Sequence, residues 1–424
     1  MSAYSVINTP TVVPSRISRD VLALWACAIT LSVCVRVPGL GTLAIVPFGL
    51  IAALYLILGS YRLPRELLLL VAISGSSLLI STAMLVESDV SFVSLASSNA
   101  FRLPCCAFAI YFLTRVIGLS FRFVSAFIAI GIFVLWTLSF SGSTIEEYWK
   151  FVAGVPVMFL ALLFFGRRFP RRKFALLVAL SILCAVSAIL ASRSYALFAI
   201  LTTVIVIGAS ARGPRRSEAS VVRVVALVLV VGLVSIYLLP GVALSGKLGS
   251  EIEASYRNDF LSSSDGLLGG RTQLPVSVAA IADSPVLGQS QVPMWNAELA
   301  ERAVGISSSL GISVTPATLR TWVDPNSGRI TPHSVVMQGW VVDGIMGLAL
   351  AGFVVYLLVR GLYSFVVRGW SLDVGVVFLV LVSLWDMMFS PMLTGRDVFI
   401  GAVVIALIIS REDSVNQSRV RMST

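Results

Sequence analysis

Three side chains have the types and settings to act on an anionic, phosphorylated substrate: Arg193, Arg271 and His333. His333 is the one histidine in 424 residues and stands in Thr331-Pro332-His333-Ser334. An unperturbed imidazole, with a pKa of about 6.5, takes a proton at neutral pH and can serve as a general base. Arg271 follows Gly269-Gly270. Glycines there let backbone amides and a guanidinium converge on one anion, and arginine's planar fork suits phosphate. Arg193 lies in Ala191-Ser192-Arg193-Ser194, the tip between two apolar runs too short for two full crossings, which sets it at or just below the interface, at the depth of lipid phosphates. Each also has an ordinary reading: a snorkelling arginine at a helix end, a solvated arginine at a turn, a histidine without a role. The sequence has no Asp-x-Asp pair for a sugar-nucleotide metal, no histidine cluster, no Walker loop and no Gly-x-Ser-x-Gly elbow. That pattern points to a reaction needing neither metal nor cofactor.

The elements that must position these residues are membrane helices. Hydrophobic residues make up 57% of the chain, charged residues 12%, and the mean hydropathy is +0.95. That much apolar surface has to meet lipid. Twelve apolar runs are read as crossings: 21–35, 40–59, 67–86, 103–119, 123–140, 151–165, 174–190, 195–208, 221–239, 335–358, 374–388 and 398–409. Their short connections leave an all-α integral membrane bundle of about 12 helices as the fold, because backbone polar groups must be satisfied within helices. The chain divides into a bundle over 1–239, a large loop over 240–334, and helices with a tail over 335–424.

Of the 31 lysines and arginines, 20 fall in the segments on the N-terminal side of the membrane and 5 in the short opposite ones. This positive-inside bias puts both termini in the cytoplasm and the loop outside. The net charge of +10 is thereby explained by topology and anionic lipid, with no call for nucleic acid. All five cysteines lie in the apolar runs, so the loop is built without disulfides. The loop is rich in Gly, Ser and Pro, and two short helices are predicted in it, over 273–281 and 295–304. The second is amphipathic, with Trp295, Leu299 and Ala303 on one face, which suits it to lie flat on the outer leaflet. Gly344 and Gly347 are expected to let the helix after the loop pack closely or kink.

The order of these pieces resembles the bacterial O-antigen ligase and polymerase superfamily. A Ser-Arg-Ser tip (192–194) is followed by a long loop with Gly270-Arg271 and then Ser284-Pro285-Val286-Leu287-Gly288. His333 then precedes a helix carrying Asp343-Gly344-Ile345-Met346-Gly347. Ser334 stands where those proteins usually carry Asn, and Gly288-Gln289-Ser290 replaces Gly-x-Gly. The resemblance implies a glycosyltransferase of the inner membrane whose donor is a polyprenyl-diphosphate-linked glycan, bound on the periplasmic side. It also implies that Arg193 and Arg271 hold the donor pyrophosphate and that His333 activates the acceptor hydroxyl. Lipid A-core as acceptor makes the protein a ligase; another glycan repeat unit makes it a polymerase. A transporter or flippase is the reading from another class, kept open by Asp343 and Asp386 within the apolar runs.

Overall fold

The computed structural model describes residues 44–85, 98–140, 144–166, 173–190, 193–210, 273–289, 292–311, 314–320, 328–332, 334–368, 373–390 and 396–423, with a few short pieces between. These residues are 83% helical, with no strand among them. The helices are α1 (Ile45–Leu58), α2 (Arg65–Leu85), α3 (Asn99–Tyr111), α4 (Phe121–Ser139), α5 (Ile145–Gly166), α6 (Lys173–Ile189) and α7 (Arg193–Ser210). After the loop's α8 (Leu274–Asp283), α9 (Ala297–Ser309) and α10 (Pro316–Arg320) come α11 (Val335–Arg368), α12 (Val374–Phe389) and α13 (Arg396–Ser423). Ten of the twelve apolar runs fall on helices; 21–35 and 221–239 lie outside the described residues. Among the described residues, four stretches are long and apolar enough to cross a membrane: Arg65–Ala83, Phe121–Leu138, Ile145–Gly166 and Val335–Val366.

Local chemistry sets where the helices begin and where they deform. Ser98, Ser120 and Asp373 cap α3, α4 and α12, each side chain accepting a backbone N–H of the first turn. In α5 the turn Trp149–Ala153 widens to a π-helix shortly before Pro156. A proline lacks the N–H for the carbonyl four residues back, and its ring crowds that oxygen, so the wider turn relieves the clash. A second π-turn, Phe112–Val116, extends α3 where Thr114 Oγ1 bonds back to the Ile110 carbonyl at 2.8 Å.

Ion pairs show which helix ends lie together. Glu66 at the start of α2 pairs with Arg360 of α11 at 3.5 Å and with Arg411 of α13. Arg115, just past α3, pairs with Glu412 at 3.3 Å, and Arg122 of α4 with Asp373 ahead of α12 at 2.5 Å. These ends form one face of the bundle, called here the ion-paired end. At the opposite face, the loop end, Ser81 of α2 meets Asp343 of α11, and Arg102 of α3 meets Asp397 of α13. Tyr195 near the start of α7 donates to the Lys150 carbonyl at 2.7 Å, and Trp149 Nε1 to Ser187 of α6 at 3.3 Å. Among the described residues, Arg115, Arg122, Arg360 and Arg411 thus lie at the first face and Arg102 and Lys150 at the second.

Burial pushes the Asp373 carboxyl above the usual carboxylate range, with Arg122 pulling the other way. A raised carboxyl pKa means that the folded chain binds the proton more tightly. Stability from this group is thus full in acid and is lost as pH rises through that raised value. Asp373→Asn, which keeps a good cap, is expected to remove this pH dependence at little cost near neutrality. Asp373→Ala should cost about 1 kcal/mol, the usual value of an N-cap. Unfolding midpoints of both variants against pH provide the check.

A second, smaller core lies over the loop end. Val276, Ala279, Ala280 and Ile281 of α8 bury against Leu299 and Ala303 of α9, with Leu319, Ile330 and Val341. The expectation that the amphipathic helix lies on the leaflet is corrected here. Its apolar face is covered by α8, and Arg302 reaches across to fork onto the Asp283 carboxylate, one bond at 3.0 Å. Its partner is protein because α8 offers a complementary row of small residues, which lets the two helices approach closely.

Candidate functional site

α11 is two helices. Gly344 adopts φ 61° and ψ −144°, outside the helical region. The crossing expected over 335–358 lies on this broken helix: residues 335–343 form a short first helix, and 345–368, ~36 Å long at 1.5 Å per residue, is long enough by itself to span a bilayer. The bend is sharp. Gly339 and Gly347 would stand ~12 Å apart in a straight helix, yet a Cβ on Gly339 would be 3.1 Å from the Gly347 carbonyl oxygen. The short first helix belongs to both cores, with Val335 in the main one and Val341 in the smaller.

What fills the break is the Ser-Pro-x-x-Gly segment. In an unbroken helix the Ile345 N–H would bond the Val341 carbonyl. Here Ile345 N–H donates to the Val286 carbonyl at 3.0 Å, and the Val341 carbonyl accepts from Gln289 N–H at 2.8 Å. One bond within the helix is exchanged for two to the loop. Trp340 Nε1 adds a third link, to the Pro285 carbonyl at 2.8 Å. The approach requires glycine on both sides. Gly288, at φ 77°, lies against Val342 and Gly344, and a Cβ on either Gly288 or Gly344 would run into the other's backbone. The two motifs that carry the resemblance, 284–288 and 343–347, are thus one backbone-bonded unit.

The side chains of Arg193, Arg271 and His333 all lie outside the described residues. Their flanks are described. Arg193 opens α7, whose first turns sit at the loop end through the Tyr195 bond and the Phe198–Trp385 ring contact at 5.7 Å. Gln273, two residues after Arg271, is 5% exposed at the head of α8. Ser334, directly after His333, is buried and caps α11 by accepting Met337 N–H at 3.2 Å. Serine and asparagine are both good N-caps, so the Ser-for-Asn difference preserves that role. The flanks of all three residues belong to the loop end.

Two further residues there escaped the sequence reading. Arg102 and Asp397 form an ion pair at 2.6 Å, 8% and 1% exposed. Each immediately precedes an apolar run, and that shared position was the available signal. Asp386 near the end of α12 is also buried, as is Asp343. No protein-family model matches the chain, and none of the curated proteins matches it either.

Proposed function

We propose that this protein transfers a glycan from a polyprenyl diphosphate carrier to an acceptor hydroxyl at the loop end of the bundle, in the manner of an O-antigen ligase. In this reading twelve helices cross the bacterial inner membrane, the ion-paired end and both termini face the cytoplasm, and the loop end faces the periplasm. The observation that carries it is the joining of 284–288 to 343–347. Motifs read 55 residues apart as marks of one superfamily form a single unit, next to the segments that flank Arg271 and His333. The cation distribution supports the orientation: Arg115, Arg122, Arg360 and Arg411 gather at the ion-paired end.

The chemistry follows from the residues. Pyrophosphate leaves readily only when its developing charge is stabilised, and two guanidiniums, Arg193 and Arg271, supply that without a metal ion. The lipid tail of the donor stays in the bilayer, so its anomeric carbon is presented at interfacial depth. His333 removes the proton from the attacking hydroxyl.

The test is the glycolipid profile of a deletion strain, complemented with wild type or variants. Full-length polymer accumulating on polyprenyl diphosphate supports a ligase. Single units on lipid A-core with no long chains make the protein a polymerase. An unchanged profile rejects both. In EDTA-containing buffer, His333→Ala and Arg271→Ala are each expected to slow transfer by about a hundredfold, the lower range for losing a base or a charge stabiliser. A variant that turns over normally removes its residue from the site.

A further inference from the structure

Asp343 is 1% exposed, and its carboxylate is only half satisfied. Oδ1 accepts the Ser81 hydroxyl at 2.8 Å, while Oδ2 has no hydrogen-bond partner. No cation among the described residues pairs with it. Three carboxylates at other helix ends differ: Glu66, Asp373 and Asp397 each have an arginine. α2 turns two more buried hydroxyls to the same face as Ser81. Ser77 stands close enough to the Asp343 carboxylate to interact with it, and Ser74 is one turn further along; neither hydroxyl makes a hydrogen bond of full geometry. An isolated ionised carboxylate is strongly disfavoured in such surroundings, so Asp343 either carries a proton or is paired with a compensating charge.

We propose that Asp343, Ser77 and Ser81 bind a sodium ion beside the break in α11. One carboxylate with neutral hydroxyl oxygens balances a single positive charge; a divalent ion would leave a net charge buried. The donor set is all hard oxygen, as an alkali ion requires. The helix is interrupted at Gly344, the next residue, and interrupted membrane helices supply backbone oxygens to sodium in just such settings. The ion ties α2 to the bend that also holds residues 286–289. This proposal stands apart from the glycan transfer reading, and its test measures binding.

The full-length protein in detergent is heated while sodium chloride replaces choline chloride at constant ionic strength. The expected result is a saturable rise in Tm with sodium. The rise should vanish in Asp343→Asn, and its midpoint should shift about tenfold in Ser77→Ala, for the loss of one of few ligands. Equal Tm in the two salts overturns the proposal, as does a sodium response in Asp343→Asn like that of wild type. A Tm that follows pH and ignores sodium also overturns it, because Asp343 then simply carries a proton. If Asp343→Asn does not fold, the Ser77→Ala titration decides: an unshifted midpoint overturns the site.

Discussion

Asp397→Ala is expected to destabilise the bundle by about 3–5 kcal/mol, the cost of stranding a buried charge. Its partner Arg102 is buried and sits in the first turn of α3, where the helix dipole disfavours a cation. Asp397, in the first turn of α13, enjoys the favourable half of the same effect and neutralises the guanidinium at 2.6 Å. Removing the acid leaves Arg102 facing both the dipole and a low-dielectric interior. The double variant Arg102→Met with Asp397→Leu should recover most of the loss, since two apolar side chains can fill that space without a charge to compensate. Titration with SDS in mixed micelles measures both. A single variant no worse than Arg302→Ala, whose pair is 39% and 34% exposed, would contradict this account.

Gly344→Val is expected to cost about 3–5 kcal/mol. Part comes from forcing a β-branched residue to φ 61° and ψ −144°, a region that only glycine enters readily. The rest comes from collision with the Val286 carbonyl and Gly288, which drives the loop segment out and breaks the bonds at Ile345 and Gln289. Loss should be local at first. Hydrogen exchange is expected to rise at Gln289 and Ile345 while the amides of α3 and α13 stay protected. Unchanged exchange at those two amides would show that the loop is held by something else.

The helices were legible in the sequence because long apolar runs have few alternatives in lipid. Residues 273–281 were readable as a helix, and Gly344 as a place to bend. The occupant of the bend was not, since backbone-to-backbone bonds such as Gln289 to Val341 leave no side-chain signature. The apolar face of α9 was legible too, but its partner was not: Leu299 and Ala303 would look the same against lipid as against Ala279 and Ala280. The π-turns arise from crowding at single carbonyls, which no periodicity records. Pairing of Arg102 with Asp397 joins residues almost 300 positions apart, and their shared place before an apolar run marks each residue without showing that they meet.

The exchange at the bend of α11 has a mechanical corollary. When residues 286–289 withdraw, the freed Ile345 amide and Val341 carbonyl are each other's natural partners in a continuous helix. Detachment of the smaller core and straightening of α11 would therefore be coupled, a strand-displacement in miniature. A ligand gripping that core would then also bias the tilt of the long helix that continues from it.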